Sequence, residues 1–210
     1  AVCGLLVSAA TAAGVRIPIT VTEPNGVGSR RGHVSTGVPL LVGQMADAKD
    51  LRLLDDRGKE VVAQFRPLAR WWNKDNSLRW VLVDFTARLG GHQSRQYVLT
   101  DGGKAKYESP LKVTRTDARI VVDTGSAEFV INRKRFNLFD RVRIDMNGDG
   151  QYEADEECVS PGSSAGGVVM DTYGLAYLGS EGTEQVVVEE AGPVRVWVMR
   201  YVPEAMNREP

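Results

Sequence analysis

Cysteine is almost missing from this chain of 210 residues, which holds only Cys3 and Cys158. Cys3 falls in an uncharged leader-like stretch, so a mature chain would keep a single thiol and no internal disulfide frame. Cys158 is expected to be buried, or paired with a residue beyond Pro210. Histidine is as scarce. His33 and His92 both stand far from Cys158, and a nucleophilic thiol needs a base beside it. Net charge is only −1, which gives no electrostatic reason to expect nucleic acid or an anionic membrane as partner. No apolar run reaches the about 20 residues that cross a bilayer as a helix. Nowhere between Val15 and Pro210 do apolar residues keep a 3.6-residue period for three turns, which excludes a helical bundle.

Short β-branched and aromatic runs between Gly, Asn and Asp clusters are abundant instead, and they predict an all-β protein. Strands are expected over Arg16–Thr22, Val61–Arg70, Leu78–Phe85, Arg95–Leu99, Leu111–Arg115, Arg119–Asp123, Glu128–Ile131, Asp140–Asp145, Val168–Asp171, Leu175–Leu178, Gln185–Glu190 and Val194–Val202. The first fourteen residues carry no charged side chain and run from the apolar Gly4 to Val7 into Ser8-Ala9-Ala10-Thr11-Ala12-Ala13. That is the core and cleavage region of a secretory signal. The reading is therefore residues 1–14 as a signal remnant, 15–106 as a β-barrel and 107–210 as a β-sandwich incomplete at its C-terminal end. The turn-rich stretch from Gly102 to Pro110 marks the junction. The expected location is secreted, extracellular or periplasmic.

Charge is unevenly placed, with six carboxylates and no base between Asp145 and Glu157. Asp145-Met-Asn147-Gly-Asp149-Gly150-Gln151-Tyr-Glu153-Ala-Asp155-Glu156 fits the calcium-loop spacing at every specified position. Oxygens at positions one, three and five, a turn glycine at six, a carbonyl at seven and an acid at twelve suit a hard cation. The ligands would be Asp145, Asn147, Asp149, Gln151 and Glu156, their oxygens converging on one space, with calcium as a structural ion on a β scaffold. The other reading is an Asn-Gly-Asp-Gly hairpin turn with its acids facing water. Turn chemistry does not explain the acid at twelve.

Trp71-Trp72-Asn73-Lys74-Asp75-Asn76-Ser77-Leu78-Arg79-Trp80 puts a polar turn between two apolar strands, and Asn76 suits the left-handed conformation that such a turn needs. These indoles are expected to fill the core of a small barrel. The alternative places Trp71 or Trp72 on a face where a sugar ring stacks on it. Other constellations are weak. Ser160, Ser163 and Ser164 lack a neighbouring His and a strand–Ser–helix elbow. Glu189 and Glu190 are strand neighbours facing opposite sides. Arg133-Lys134-Arg135 reads as a solvated turn, or a contact for an acidic sugar. No catalytic residue is assigned.

Ile19-Thr-Val-Thr-Glu-Pro24, Gly37-Val-Pro-Leu40, Leu51 to Gly58, Val62-Ala-Gln-Phe65, and Arg70-Trp71 leading to Ser77-Leu-Arg-Trp-Val-Leu-Val-Asp-Phe85 together resemble the N-terminal RIFT-type β-barrel domain of exo-rhamnogalacturonan lyase-like proteins. The loop Asp145 to Glu156 and Val188-Glu-Glu-Ala-Gly-Pro-Val-Arg195 resemble the opening of the β-sandwich that follows it. The family's Trp-Pro-Asp-Gly-Ser turn is replaced by the longer Trp71 to Ser77, without Pro or Gly. The resemblance implies a parent protein that cleaves acidic polysaccharide by β-elimination, in which a base removes the proton alpha to a neutralised carboxylate and an acid assists the leaving oxygen. It implies that those groups lie in downstream domains of the same chain, beyond Pro210. Three functions compete: the scaffold front of a secreted polysaccharide lyase, a carbohydrate-binding module, and a calcium-stabilised interaction domain. Burial of Trp71, Trp72 and Trp80 separates the first from the second.

Overall fold

The computed structural model describes residues 14–102, 109–163, 166–181 and 185–201, without the side chains of 29 and 30. Residues 1–13 of the expected signal remnant, most of the Gly102 to Pro110 junction, Ser164 and Pro210 lie outside the described residues. The protein is all-β. Its strands are β1 (Arg16–Thr22), β2 (Ser29–Pro39), β3 (Leu51–Leu54), β4 (Glu60–Val61), β5 (Ala63–Arg70), β6 (Leu78–Leu89), β7 (Ser94–Asp101), β8 (Lys112–Arg115), β9 (Arg119–Asp123), β10 (Ala127–Asn132), β11 (Arg141–Ile144), β12 (Glu157–Val159), β13 (Val168–Met170), β14 (Ala176–Leu178), β15 (Gln185–Ala191) and β16 (Val196–Tyr201). The chain divides into two compact units, 1–107 and 108–210.

In the first unit two antiparallel sheets, ordered β1-β7-β3-β4 and β2-β6-β5, share one core. Strand β6 is central, and its alternate residues Val81, Val83, Phe85 and Ala87 are buried. They oppose Val38, Thr36 and Val34 of β2 on one side and Pro67, Phe65 and Ala63 of β5 on the other. The second sheet adds Leu51, Leu53, Tyr97 and Leu99 to the same core. Each fully buried Leu, Val or Phe contributes about 1.5–3 kcal/mol relative to exposure. Phe85 and Tyr97 meet with ring centroids 4.8 Å apart at an interplanar angle of 60°, the tilted geometry that aromatic pairs favour.

Three strands were not expected from sequence. β2 carries Gly32, Gly37, two arginines and a histidine, so its period-two apolar set is reduced to Val34 and Val38. Its pairing with β6 supplies what propensity does not. Leu51–Leu54 opens a segment that reads as a turn, yet Leu51 and Leu53 are buried against β7 and pair with Asp101 and Leu99. β12 has three residues in an acidic setting and is recruited by β11.

In the second unit β12-β11-β10-β9-β8 form one antiparallel sheet. The β15–β16 hairpin packs Val186, Val188, Val196 and Val198 against Ile120, Val122 and Ile131 of that sheet. β13 and β14 form a separate two-stranded hairpin. No described helix is long and apolar enough to cross a membrane.

Candidate functional site

The β5–β6 connection, residues 71–77, is heavily tied down. The Trp71 amide donates to the Ser77 carbonyl at 2.9 Å, and the amides of Lys74 and Asn76 donate to the Trp71 carbonyl at 3.0 and 3.2 Å. Asn76 adopts φ 59°, the left-handed turn conformation expected of it. Asp75 accepts from the Ser77 hydroxyl at 2.6 Å and the Ser77 amide at 3.1 Å. The Ser77 hydroxyl bond, followed by its amide bond, holds the Asp75 carboxyl below the usual carboxylate range. Ser77 also accepts from the Gly43 amide at 2.9 Å. Arg70 donates to the carbonyls of Ala46 and Asn76 at 3.1 and 2.9 Å. Residues 40–46 are thereby stitched to the turn.

This scaffold separates the two adjacent indoles. Trp71 is half-buried, its Nε1 donating to the Leu40 carbonyl at 3.2 Å while the Arg79 guanidinium lies 4.7 Å from its ring centroid. Trp72 is 77% exposed. Trp80 is 39% exposed and turned to the opposite side of the sheet from Val81. The expectation that these three indoles fill a core is therefore corrected. The apolar interior is completed by aliphatic residues and the Phe85–Tyr97 pair, leaving no demand for Trp72 there. Leu41 and Val42, exposed on the stitched loop, were not singled out from sequence. Bonds that join positions far apart in the chain, among them Gly43–Ser77, Arg70–Ala46 and Trp71–Leu40, reveal them as part of the same end of the unit.

The acidic loop follows β11 and is organised by its own amides. Asp145 Oδ1 accepts from Gly148 and Asp149 at 2.6 and 3.2 Å, and Oδ2 from Gly150 at 2.9 Å. Asn147 Oδ1 accepts from Asp149 and Asp149 Oδ1 from Gln151, both at 2.8 Å. Glu156, 4% exposed, accepts from the amides of Met146, Asn147 and Glu153 at 2.7, 3.4 and 3.2 Å. The acid at position twelve thus has a structural task that turn patterns do not foresee: it closes the loop across its base. Burial, the largest influence on Glu156, pulls its pKa up, but the amides of Met146, Glu153 and Asn147 together outweigh it and hold it below the ordinary value. Glu153 is pushed up by burial, then by the charge of Asp149 and the hydrogen bond with Glu156. The five oxygen-bearing residues suit a hard cation chemically. Among the described residues, however, no three His, Cys, Asp or Glu side chains are grouped as a metal would require.

The remaining sequence candidates are dispersed. Arg133 is committed to the carbonyls of Val186 and Thr116 at 3.1 and 2.7 Å, so it pins β15 to the sheet rather than offering a basic patch. Glu190 is bound to Arg195 at 3.0 Å, and Glu189 to the Tyr201 hydroxyl. The Ser163 hydroxyl donates to the Ser160 carbonyl at 2.6 Å within a turn. Cys158 is exposed on β12, which corrects the first of its two expectations, burial, and does not bear on pairing beyond Pro210. His33 Nε2 lies 3.4 Å from Asp84 Oδ1, a pair made by the facing strands β2 and β6. No protein-family model matches the chain, and no curated protein matches it.

Proposed function

We propose that this chain is a glycan-facing, non-catalytic part of an exported protein, and that its Trp72 turn stacks on the sugar rings of an acidic polysaccharide. The observation that carries the reading is an indole with 77% of its surface in water on a turn held by at least six hydrogen bonds to neighbouring backbone and side chains. A flexible tip would lose entropy on ordering. A turn whose backbone is already fixed has that part of the cost met by the fold. An indole face supplies apolar area to the C–H face of a pyranose while the sugar hydroxyls remain free to bond around it. Lys74 and Arg79, the cations of the turn and the start of β6, outnumber Asp75, the one acid among them. That balance favours a carboxylate-bearing glycan over a neutral one. In this reading β-elimination, when the parent protein performs it, uses groups of downstream domains in the same chain.

Calorimetric titration with rhamnogalacturonan and with a neutral β-glucan tests the proposal. Binding to the acidic polymer, weakened at least tenfold by Trp72→Ala and by added salt, supports it. Equal binding by the Trp72→Ala chain removes it.

Calcium remains a second proposal, carried by the loop spacing and by oxygen-only donors. Asp145, Asn147, Asp149, the Gln151 carbonyl and Glu156 would hold the ion, which would tie the end of β11 to the start of β12. The amide bonds now made by Glu156 would compete with the ion for its oxygens. A rise in melting temperature with millimolar calcium that disappears in Asp149→Ala supports this. No rise leaves the loop as a turn closed by its amides.

A further inference from the structure

The β2-β6-β5 sheet turns one face to the core and the other outward. Successive strand residues alternate sides, so Val81, Val83 and Phe85 of β6 point inward while Trp80, Leu82 and Asp84 point outward. Residues directly opposite one another in an antiparallel pair share a face. Gly37 and Ser35 of β2 stand opposite Leu82 and Asp84, and His33 stands opposite Thr86. From β5, Arg66 and Gln64 join Leu82 and Asp84 on the same side. Trp80 lies two residues beyond Leu78, whose pairing with Arg70 closes the Trp72 turn. The outward face therefore begins where that turn ends.

A glycine sets the indole of Trp80 on this face. A Cβ built at Gly37 would stand 3.5 Å from the ring atoms Cε3 and Cζ3, an ordinary van der Waals contact. Trp80 thus leans along the sheet over a position that has no side chain to lift it away, and 39% of its surface still meets water. An indole held in this way offers apolar area to the C–H face of a sugar.

Asp84 gives the face a second fixed point. A carboxylate on the outward side of a sheet ordinarily meets water, yet Asp84 has no exposed surface, and Gln64 opposite it is only 7% exposed. Asp84 Oδ1 lies 3.4 Å from His33 Nε2, while the imidazole is half-exposed. The carboxylate therefore fixes one ring nitrogen and leaves Nδ1 as the one to meet a ligand. Nδ1 accepts from a hydroxyl when the ring is neutral and donates to a carboxylate when it is protonated.

Charge on the face selects the ligand. Arg66 and Arg88, with His33 when protonated, outnumber Asp84, whose carboxylate is turned to His33 and away from water. That excess of positive charge complements a carboxylate-bearing sugar. Gly37 and His33 lie four residues apart on β2, about 13 Å at a strand rise of about 3.3 Å per residue. One sugar ring does not span that length.

We propose that the outward face of the β2-β6-β5 sheet extends the glycan site, so that an acidic oligosaccharide runs from the Trp72 turn past Trp80 to His33. Trp80 is the second stacking ring, and His33, positioned by Asp84, bonds a sugar further along. This rests on the reading of the Trp72 turn as a glycan contact.

Calorimetric titration of the full chain with long rhamnogalacturonan oligosaccharides tests it. Trp80→Thr, a residue suited to an exposed strand position, and His33→Ala should each weaken binding at least tenfold. Trp80→Phe, which keeps a ring beside Gly37, should retain most of the affinity. Melting temperatures close to that of the parent chain show that the variants are folded, and should Trp80→Thr not fold, His33→Ala and Trp80→Phe carry the test. Undiminished binding by Trp80→Thr or by His33→Ala, with Trp72→Ala weakened, overturns the extension and leaves the turn as the site. Weakening by Trp80→Thr and His33→Ala, with Trp72→Ala unaffected, supports the sheet face and removes the turn. A parent chain that does not bind these oligosaccharides overturns both.

Discussion

Trp72 and Trp71 are neighbours with opposite duties, and single substitutions should separate them. Trp72→Ala removes a side chain that mainly meets water, so stability should change by no more than about 0.5 kcal/mol. Trp71→Ala removes a half-buried ring that takes the Arg79 guanidinium and bonds the Leu40 carbonyl, and should destabilise by about 1–3 kcal/mol. Chemical denaturation of the two variants checks this contrast. Glu156 offers a residue-scale test with a pH sign. Its folded pKa lies below that of an unfolded Glu, as do those of Glu23, through the His92 amide, and Asp47, through Lys49. A lowered carboxyl pKa contributes stability that is fully present above the unfolded value, near 4.3, and is lost as pH falls through the folded one. Melting temperature should therefore drop steeply below about pH 4. Glu156→Gln should flatten that drop and lower the melting temperature at pH 7. Glu153, raised instead, acts in the opposite sense and makes the loop's net dependence smaller than that of Glu156 alone.

At the scale of elements, strands with uninterrupted β-branched patterns were legible: β1 and β9 run over the residues expected of them. β2 was not, because its two glycines and three basic residues hide a buried stripe that only pairing with β6 discloses. The candidate site was half legible. The sequence marks Trp71 to Trp80 as a turn between strands, but which indole faces water depends on bonds from Gly43 and Arg70 that cross the chain, and no local pattern carries them. The acidic loop shows the converse. Its spacing is visible in full, while the use of Glu156 as a clasp on three amides is decided by how β11 and β12 meet. β6 is the element on which the first unit depends most. Phe85→Ala should cost about 3–5 kcal/mol, because a residue with no exposed surface is lost from between Val34 and Ala63. Urea unfolding followed by tryptophan fluorescence would register it.

For the whole molecule, two β units each surround their own apolar cluster, and Asp75, Arg133, Asp145, Glu156 and Glu190 are engaged in turns, clasps and pins. Catalysis of β-elimination needs a carboxylate neutraliser, a base and an acid held to within about half an ångström of one sugar, and no such trio is assembled among the described residues discussed above. The proposed function is binding to an acidic polysaccharide. It is tested most directly by incubating the purified chain with rhamnogalacturonan while measuring retained polymer and near-ultraviolet absorbance of unsaturated sugar in the same sample. The predicted result is retention that Trp72→Ala abolishes, with no rise in absorbance. Unsaturated product that disappears when His33, Tyr173 or Arg195 is replaced would contradict the account and place an active site inside this chain.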